Sequence, residues 1–283
     1  MEGCQMKPIL LSQEQIKAAS QKYGTPLYLY NLNKISHQFA TLSEYLPSNF
    51  TIHYAMKANS NLTICRKLAQ LGSSADVSSL GELRAALKVG FSPEQIVFTG
   101  PGKTVQELSA AVDVGCGLIV LESVNEAQRL NKLAQQHGIQ QNVLIRINPI
   151  YRTSQRGEIR QECGLEPKAT IQLISQKASK FGVDEERMTE AITAIRDLAH
   201  LNLKGIHIYT ESNVLNCQDL LASWQNTINI ANRLREQGHP IFLIDFGGGI
   251  GIPYNDIDDP FNMSQFGRDL RGSSTIQLTI ITA

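Results

Sequence analysis

Residues 51–60, Thr-Ile-His-Tyr-Ala-Met-Lys-Ala-Asn-Ser, decide how the rest of the chain is read. A strand-like run, Thr51–Met56, stops at a lysine and a polar turn. A helical period follows at once, with Leu62, Cys65, Leu68, Ala69 and Leu71 on one face. The same unit returns downstream. Runs at Ser74–Ser78, Gln95–Thr99, Gly117–Glu122 and Asn142–Asn148 continue the series, and the five starts lie 21 to 25 residues apart. Between them, Leu83, Ala86, Leu87 and Val89 make one further apolar helix face, and Ala127, Leu130, Leu133 and Ala134 another. Two more runs stand at Leu203–Tyr209 and Pro240–Phe246.

Most of these runs are apolar throughout, as expected where both faces of a parallel sheet are buried. Repeated βα units of this length predict an α/β fold, a TIM-type (β/α)₈ barrel, with a doubly wound open sheet as the alternative. Seven strands are secure, and Thr275–Thr282 is the one candidate for an eighth, so the expected barrel is incomplete there. Three segments break the rhythm. Gln13–Tyr23 reads as a helix capped by Ser12 with Gln15 as its reciprocal partner, and Pro26–Tyr30 reads as a strand. Asn148–Phe181, long, polar and marked by Gly157, Gly164 and Pro167, reads as an active-site loop or mobile insertion.

Composition narrows the function classes. Lys+Arg 26 balance Asp+Glu 26 over 283 residues and the six histidines are scattered, so nothing marks a nucleic-acid or anionic-membrane partner. With 42% hydrophobic and 18% charged residues the chain is globular rather than disordered. The early apolar stretch, Pro8–Leu11, is too short for a secretory leader, and no run approaches a membrane span. Cysteines at 4, 65, 116, 163 and 217 lack metal-ligand or disulfide spacing. Free thiols in a cytoplasmic protein without a bound metal are expected.

Several strand ends carry chemistry. Lys57 directly follows apolar strand residues, where partial desolvation favours the free amine needed for a Schiff base; a lysine reaching out to solvent is the plainer reading. Asp245-Phe-Gly-Gly-Gly-Ile-Gly251 offers backbone N–H groups to an anion, with a plain flexible turn as the alternative. Its spacing matches neither dinucleotide nor P-loop glycines. His207 and Tyr209 share a strand face with Ser212 just beyond, although a histidine there is more often simply packed. Arg146 can hold a phosphate or carboxylate, or close an ion pair at its strand end. Asp76 and Glu82 flank the exit of the second strand, where Glu82 can equally be a helix first-turn residue favoured by the dipole. An amine, an anion cradle, an aromatic ring and a guanidinium on one barrel rim fit pyridoxal 5′-phosphate. A lysine-imine aldolase with a phosphorylated substrate is the alternative.

In order along the chain, Tyr54-Ala-Met-Lys-Ala-Asn59 with Asn61, Asp76-Val-Ser-Ser-Leu-Gly-Glu82, Arg146-Ile-Asn-Pro149, Ser179-Lys-Phe-Gly182 and Gly247–Gly249 resemble the fold-type III pyridoxal-phosphate-dependent decarboxylases, the diaminopimelate/ornithine group. The resemblance covers roughly residues 20 to 270 and implies an alanine-racemase-like barrel. It implies that Lys57 carries the cofactor and that Gly247, Gly248, Gly249 and Ser212 bind its phosphate. By the same matching Asp76, Arg146 and His207 line the cofactor and Glu82 meets the substrate. Alanine racemases follow their lysine with Tyr-Gly-His-Gly, whereas Ser60-Asn61-Leu62 stands near that place here.

The departures are informative. Most members carry His-Ile-Gly-Ser where this chain has Tyr209-Thr-Glu-Ser212, so Tyr209 takes the place of the stacking ring. With Gly251-Ile-Pro-Tyr254, this resembles the subgroup acting on carrier-protein-tethered amino acids. The resemblance thus implies decarboxylation of a diaminopimelate-like or carrier-tethered amino acid, and a homodimer. The family's Glu-Pro-Gly-Arg motif and C-terminal β-domain find no match. Residues 1–34 are therefore expected to belong with that β-domain and 35–283 to form the cofactor-binding barrel, with a catalytically impaired protein or a truncated fragment as the alternative.

Overall fold

The structure, a computed structural model, describes residues 11–150 and 180–272, together with the backbone of 279–282. Its elements follow the βα rhythm: α1 (Gln13–Tyr23), α2 (Leu32–Tyr45), β1 (Phe50–Ala55), α3 (Leu62–Gln70), β2 (Ser74–Val77), α4 (Leu80–Val89), β3 (Ile96–Phe98) and α5 (Val105–Asp113). Next come β4 (Leu118–Leu121), α6 (Val124–Gln136), β5 (Gln141–Asn148), β6 (Val183–Asp184) and α7 (Met188–Arg196). The series ends with β7 (Leu201–His207), α8 (Cys217–Glu236), β8 (Leu243–Asp245), α9 (Met263–Gly272) and β9 (Thr279–Thr282). All seven expected strands are present within a few residues of their anticipated bounds.

Every pairing is parallel, and the pairings run from strand to strand around a ring. β1 to β5 pair in sequence, β5 pairs β7, and β7 pairs β8. The eighth position, expected over 275–282, is taken by β9, which pairs β8 on one side and β1 on the other. β6 adds only a short pairing to the end of β5.

The unbroken apolar runs divide by parity. Val97, Leu118, Val120 and Leu144 form one cluster against Leu243, filling the barrel. Their neighbours Ile119, Val143 and Ile145 join the larger core shared with the helices. Both faces of each strand are therefore dry, which is why alternation is absent from the sequence. Gly205 is required where β7 meets β8: a Cβ there would lie 1.8 Å from the Leu243 carbonyl oxygen. Behind the end of β8, Trp224 of α8 stacks on Phe246 at 4.4 Å and meets Phe266 of α9 edge-on at 5.1 Å. That aromatic group fixes where the chain enters the glycine turn.

The N-terminal segment differs from expectation in one respect. α1 has the anticipated reciprocal cap, Ser12 accepting from the Gln15 N–H and Gln15 from the Ser12 N–H. Pro26–Tyr30, however, is not a strand. Alternation makes a segment able to extend, but a ladder needs an adjacent edge, and this one finds none among the described residues. Tyr28 stays 89% exposed and stacks on Tyr30. The expected loop after Asn148, including Gly157, Gly164 and Pro167, lies mostly outside the described residues.

Candidate active site

One step beyond the apolar layer, the inward positions turn polar. Thr99, Glu122, Arg146 and Asp245 each stand two residues after a member of the inner cluster. Asp76 is in register with Val97, and His207 with both Arg146 and Asp245. The C-terminal mouth of the barrel is thus ringed by ionisable groups, the place where this architecture collects catalytic residues.

Most of the ring is paired. His207 Nδ1 lies 2.8 Å from Asp245 Oδ2, both side chains almost fully buried. Burial works to raise the Asp245 carboxyl, but the His207 charge and hydrogen bond and the Gly247 N–H outweigh it and hold the group below the ordinary carboxylate range. Asp76 Oδ1 accepts from Thr99 Oγ1 at 2.7 Å. Burial pushes Asp76 up to about 6, against the pull of that bond and of the Lys57 and His207 charges. His53, buried below them in β1, is pushed down by desolvation despite the Asp245 charge.

Lys57, Tyr209, Ser212 and the glycine turn form the open part of the mouth. Of its two readings Lys57 takes the plainer one and is exposed, because the turn at 56–58 carries it past the end of β1. Its Nζ lies 5.7 Å from the centre of the Tyr209 ring. The Tyr209 hydroxyl shares a 2.6 Å hydrogen bond with Ser212 Oγ. Gly247, Gly248 and Gly249 have φ of +67°, +89° and +99°, all left-handed. A Cβ on Gly247 would stand 2.7 Å from Tyr209 Cβ, and one on Gly249 2.7 Å from the Glu211 carbonyl oxygen. Only glycine allows the turn to lie this close to β7 and the loop after it. No hydrogen bond among the described residues uses the Gly248 or Gly249 N–H, so both donors are available to an anion.

Two expected site residues are engaged elsewhere. Arg146 pairs with Glu122 at 3.0 Å, and its guanidinium lies 4.4 Å from the centre of the Phe181 ring. Glu122 Oε2 also accepts the Gly182 N–H at 2.6 Å. Glu82 Oε2 accepts the Ser78 N–H at 2.7 Å, folded back over the start of α4. Each takes the structural option open to its residue type.

Sequence reasoning missed Glu122 and the carboxylates that brace it. Lys103 is buried and donates to the Gly100 and Val120 carbonyls while pairing with Glu126 at 2.9 Å. Glu126 in turn accepts the Glu122 N–H at 2.8 Å. The available signal was a repeated helix-start motif: Ser79-Leu-Gly-Glu82, Thr104-Val-Gln-Glu107 and Ser123-Val-Asn-Glu126. All three act as caps at successive βα junctions.

Residues 32–277 match the family described as pyridoxal-dependent decarboxylase, pyridoxal binding domain. The chain is 33% identical over 244 residues to the diaminopimelate decarboxylase of Aquifex aeolicus, covering 86% of this chain and 54% of that one. It is 32% identical over 245 residues to the L-glutamyl-(BtrI acyl-carrier protein) decarboxylase of Niallia circulans, again 86% and 54%. The crystal structure of Helicobacter pylori diaminopimelate decarboxylase complexed with L-lysine superposes with a TM-score of 0.81 at 31% identity. That likeness covers 94% of this chain and 65% of the other. The chain thus spans little more than half the length of these two curated relatives. The strand-end groups of the barrel mouth and a family match over most of the sequence agree: the chain belongs to the pyridoxal-dependent decarboxylases, matching their pyridoxal-binding domain.

Proposed function

We propose that this barrel binds pyridoxal 5′-phosphate through Lys57 and serves the decarboxylation of an amino acid. The observation that carries the reading is the meeting of three parts: an exposed amine, an aromatic ring 5.7 Å from it, and a glycine turn flush against that ring. The residues fit the group. Gly248 and Gly249 offer unspent N–H donors and Ser212 an exposed hydroxyl, which together suit a phosphate. When bound, pyridoxal phosphate supplies an electron-poor ring that accepts the electron pair left by a departing carboxyl group.

The chain's own residues bind and orient. Lys57 Nζ is the attachment point, and Tyr209 offers its ring as a stacking face. Asp76, with His207 and Asp245 behind it, sets the charge of the mouth. Arg146 is assigned to an anionic group, through the guanidinium edge that Glu122 does not occupy. Glu82 is assigned to the substrate through Oε1, since Oε2 is taken by Ser78. The substrate class is a diaminopimelate-like or carrier-protein-tethered amino acid, supported by the two kinds of relative. A cytoplasmic setting and a homodimer are parts of the same proposal. Cys65, Cys116 and Cys217 are free and buried, which suits a reducing compartment. The division near residue 34 is proposed on the exposure of the segment before α2.

The test is visible absorbance of the purified chain with added pyridoxal phosphate, in the wild type and in Lys57→Ala. A coloured complex that the substitution removes is expected; a wild-type protein that stays colourless overturns the cofactor assignment. Release of CO₂ from free diaminopimelate against carrier-linked glutamate then separates the two substrate types. A coloured protein that releases CO₂ from neither retains the binding role and loses the catalytic one.

A further inference from the structure

One buried group, given above only a share in the charge of the mouth, touches two parts of the site at once. Asp245 is 2% exposed at the end of β8, and both its oxygens are used. Oδ2 pairs with His207 Nδ1 at 2.8 Å, and Oδ1 accepts the Gly247 N–H at 2.8 Å. The groups facing it from other strands are His207 on β7, His53 on β1 and Asp76 on β2. From these contacts we infer that Asp245 is a positioning residue for the glycine turn, and that His207 serves as its side-chain partner rather than as a cofactor contact. This rests on the cofactor reading above.

The glycine turn has a backbone shape that does not hold itself. Three consecutive left-handed glycines cost more conformational entropy on ordering than any other tripeptide. Something rigid must select one arrangement. Asp245 does so from the last residue of a barrel strand, bonding the first glycine of the turn two residues ahead. With that N–H turned inward, the Gly247 Cα lies flush against Tyr209, and the Gly248 and Gly249 donors are left for the anion. His207, in register on the adjacent strand, meets the other carboxylate oxygen at 2.8 Å and limits how far the carboxylate can turn away. One carboxylate thereby sets both the phosphate grip and the resting place of the Tyr209 ring.

The experiment uses the full chain and two aldehydes, pyridoxal 5′-phosphate and unphosphorylated pyridoxal, and compares their dissociation constants. Their ratio isolates the grip on the phosphate, because both compounds share the ring and the amine. Asp245→Leu, which removes both acceptor oxygens at similar size, is expected to shrink the ratio at least tenfold. Thr227→Val, an equally buried change on α8 outside the mouth, is expected to leave it unchanged. An unchanged ratio in Asp245→Leu, or an equal loss in both variants, overturns the inference while leaving the cofactor reading intact. A wild type that binds neither aldehyde overturns the cofactor reading itself. A measurement without any variant guards against misfolding. The Gly247 amide of the wild type should exchange with solvent at least a hundredfold more slowly than in an unstructured chain, and unprotected exchange refutes the bond to Asp245.

Discussion

The two sides of the barrel mouth end their strands differently. After β2, β3 and β4 the chain enters the next helix within a few residues, and each junction carries a Ser or Thr cap with a Glu three residues on. There the carboxylates of Glu82, Glu107 and Glu126 close on backbone N–H groups. After β7 and β8 the chain takes nine and seventeen residues to reach a helix, counted from 207 to 217 and from 245 to 263. Those longer junctions hold Tyr209, Ser212 and the glycine turn, with donors not spent on caps. A helix start that satisfies its own N–H groups is scaffold. On the other side α8 and α9 also begin with caps, from Asn216 and Asn262, and the open donors belong to the glycine turn ahead of α9, for which the short junctions have no room.

The strongest way to break this contrast is to attack the capped side. Glu126→Ala removes the partner of a lysine whose side chain is 1% exposed and strips the Glu122 N–H of its acceptor. Leaving one member of a buried pair uncompensated costs about 3–5 kcal/mol. Urea unfolding of the two proteins measures it. The affinity of the variant for pyridoxal phosphate, taken while it is still folded, should change far less than its stability. A loss below about 1 kcal/mol, or a selective loss of cofactor, would show that Lys103 and Glu126 are not scaffold.

Asp76 stands where the two sides meet, and its effect is read through pH. Its folded carboxyl is raised to about 6, so between roughly pH 4 and 6 the folded chain holds a proton that the unfolded chain has released. This contribution to stability is present at low pH and is lost as the pH rises through 6. Asp245 has the opposite sign: its folded carboxyl is lowered, and its contribution is lost as the pH falls. Asp76→Asn should therefore gain of the order of 2–3 kcal/mol at pH 7.5 and almost nothing at pH 4. Denaturant midpoints at the two values decide it. Equal gains at both would place the destabilisation in packing rather than in charge.

How much of this the sequence disclosed depends on the kind of fact. The barrel strands were legible because burial on both faces writes itself as continuous apolar runs, and Ser12 with Gln15 was legible because capping is local. Pro26–Tyr30 was not, since a strand needs a partner edge that no local pattern supplies. Lys57 was correctly placed at a strand end, but its exposure depends on the direction of the turn at 56–58. The bonds of Asp245 to His207 and Gly247 follow from register between β7 and β8, which no single segment encodes. The Ser/Thr-x-x-Glu repeat is visible throughout, and at Glu82 a first-turn role stands beside the substrate contact that the family resemblance implies.

Glu82 gives the smallest and sharpest test, because both uses of its carboxylate make separate predictions. As a cap, Oε2 accepts the Ser78 N–H at 2.7 Å while Ser79 Oγ accepts the Glu82 N–H at 3.2 Å. Glu82→Gln keeps an acceptor of the same length and loses its charge at the helix N-terminus, a change of about 0.5–1 kcal/mol. As a substrate contact, the same substitution removes the negative charge facing an amine, and KM rises while cofactor affinity stays put. Thermal unfolding and KM, measured on one preparation, separate the two. A small stability loss with unchanged KM would assign Glu82 wholly to the capped side. A rise in KM of tenfold or more would make it the point where scaffold and site share one carboxylate. The geometry permits the second outcome because Oε1 is left over after the cap is made.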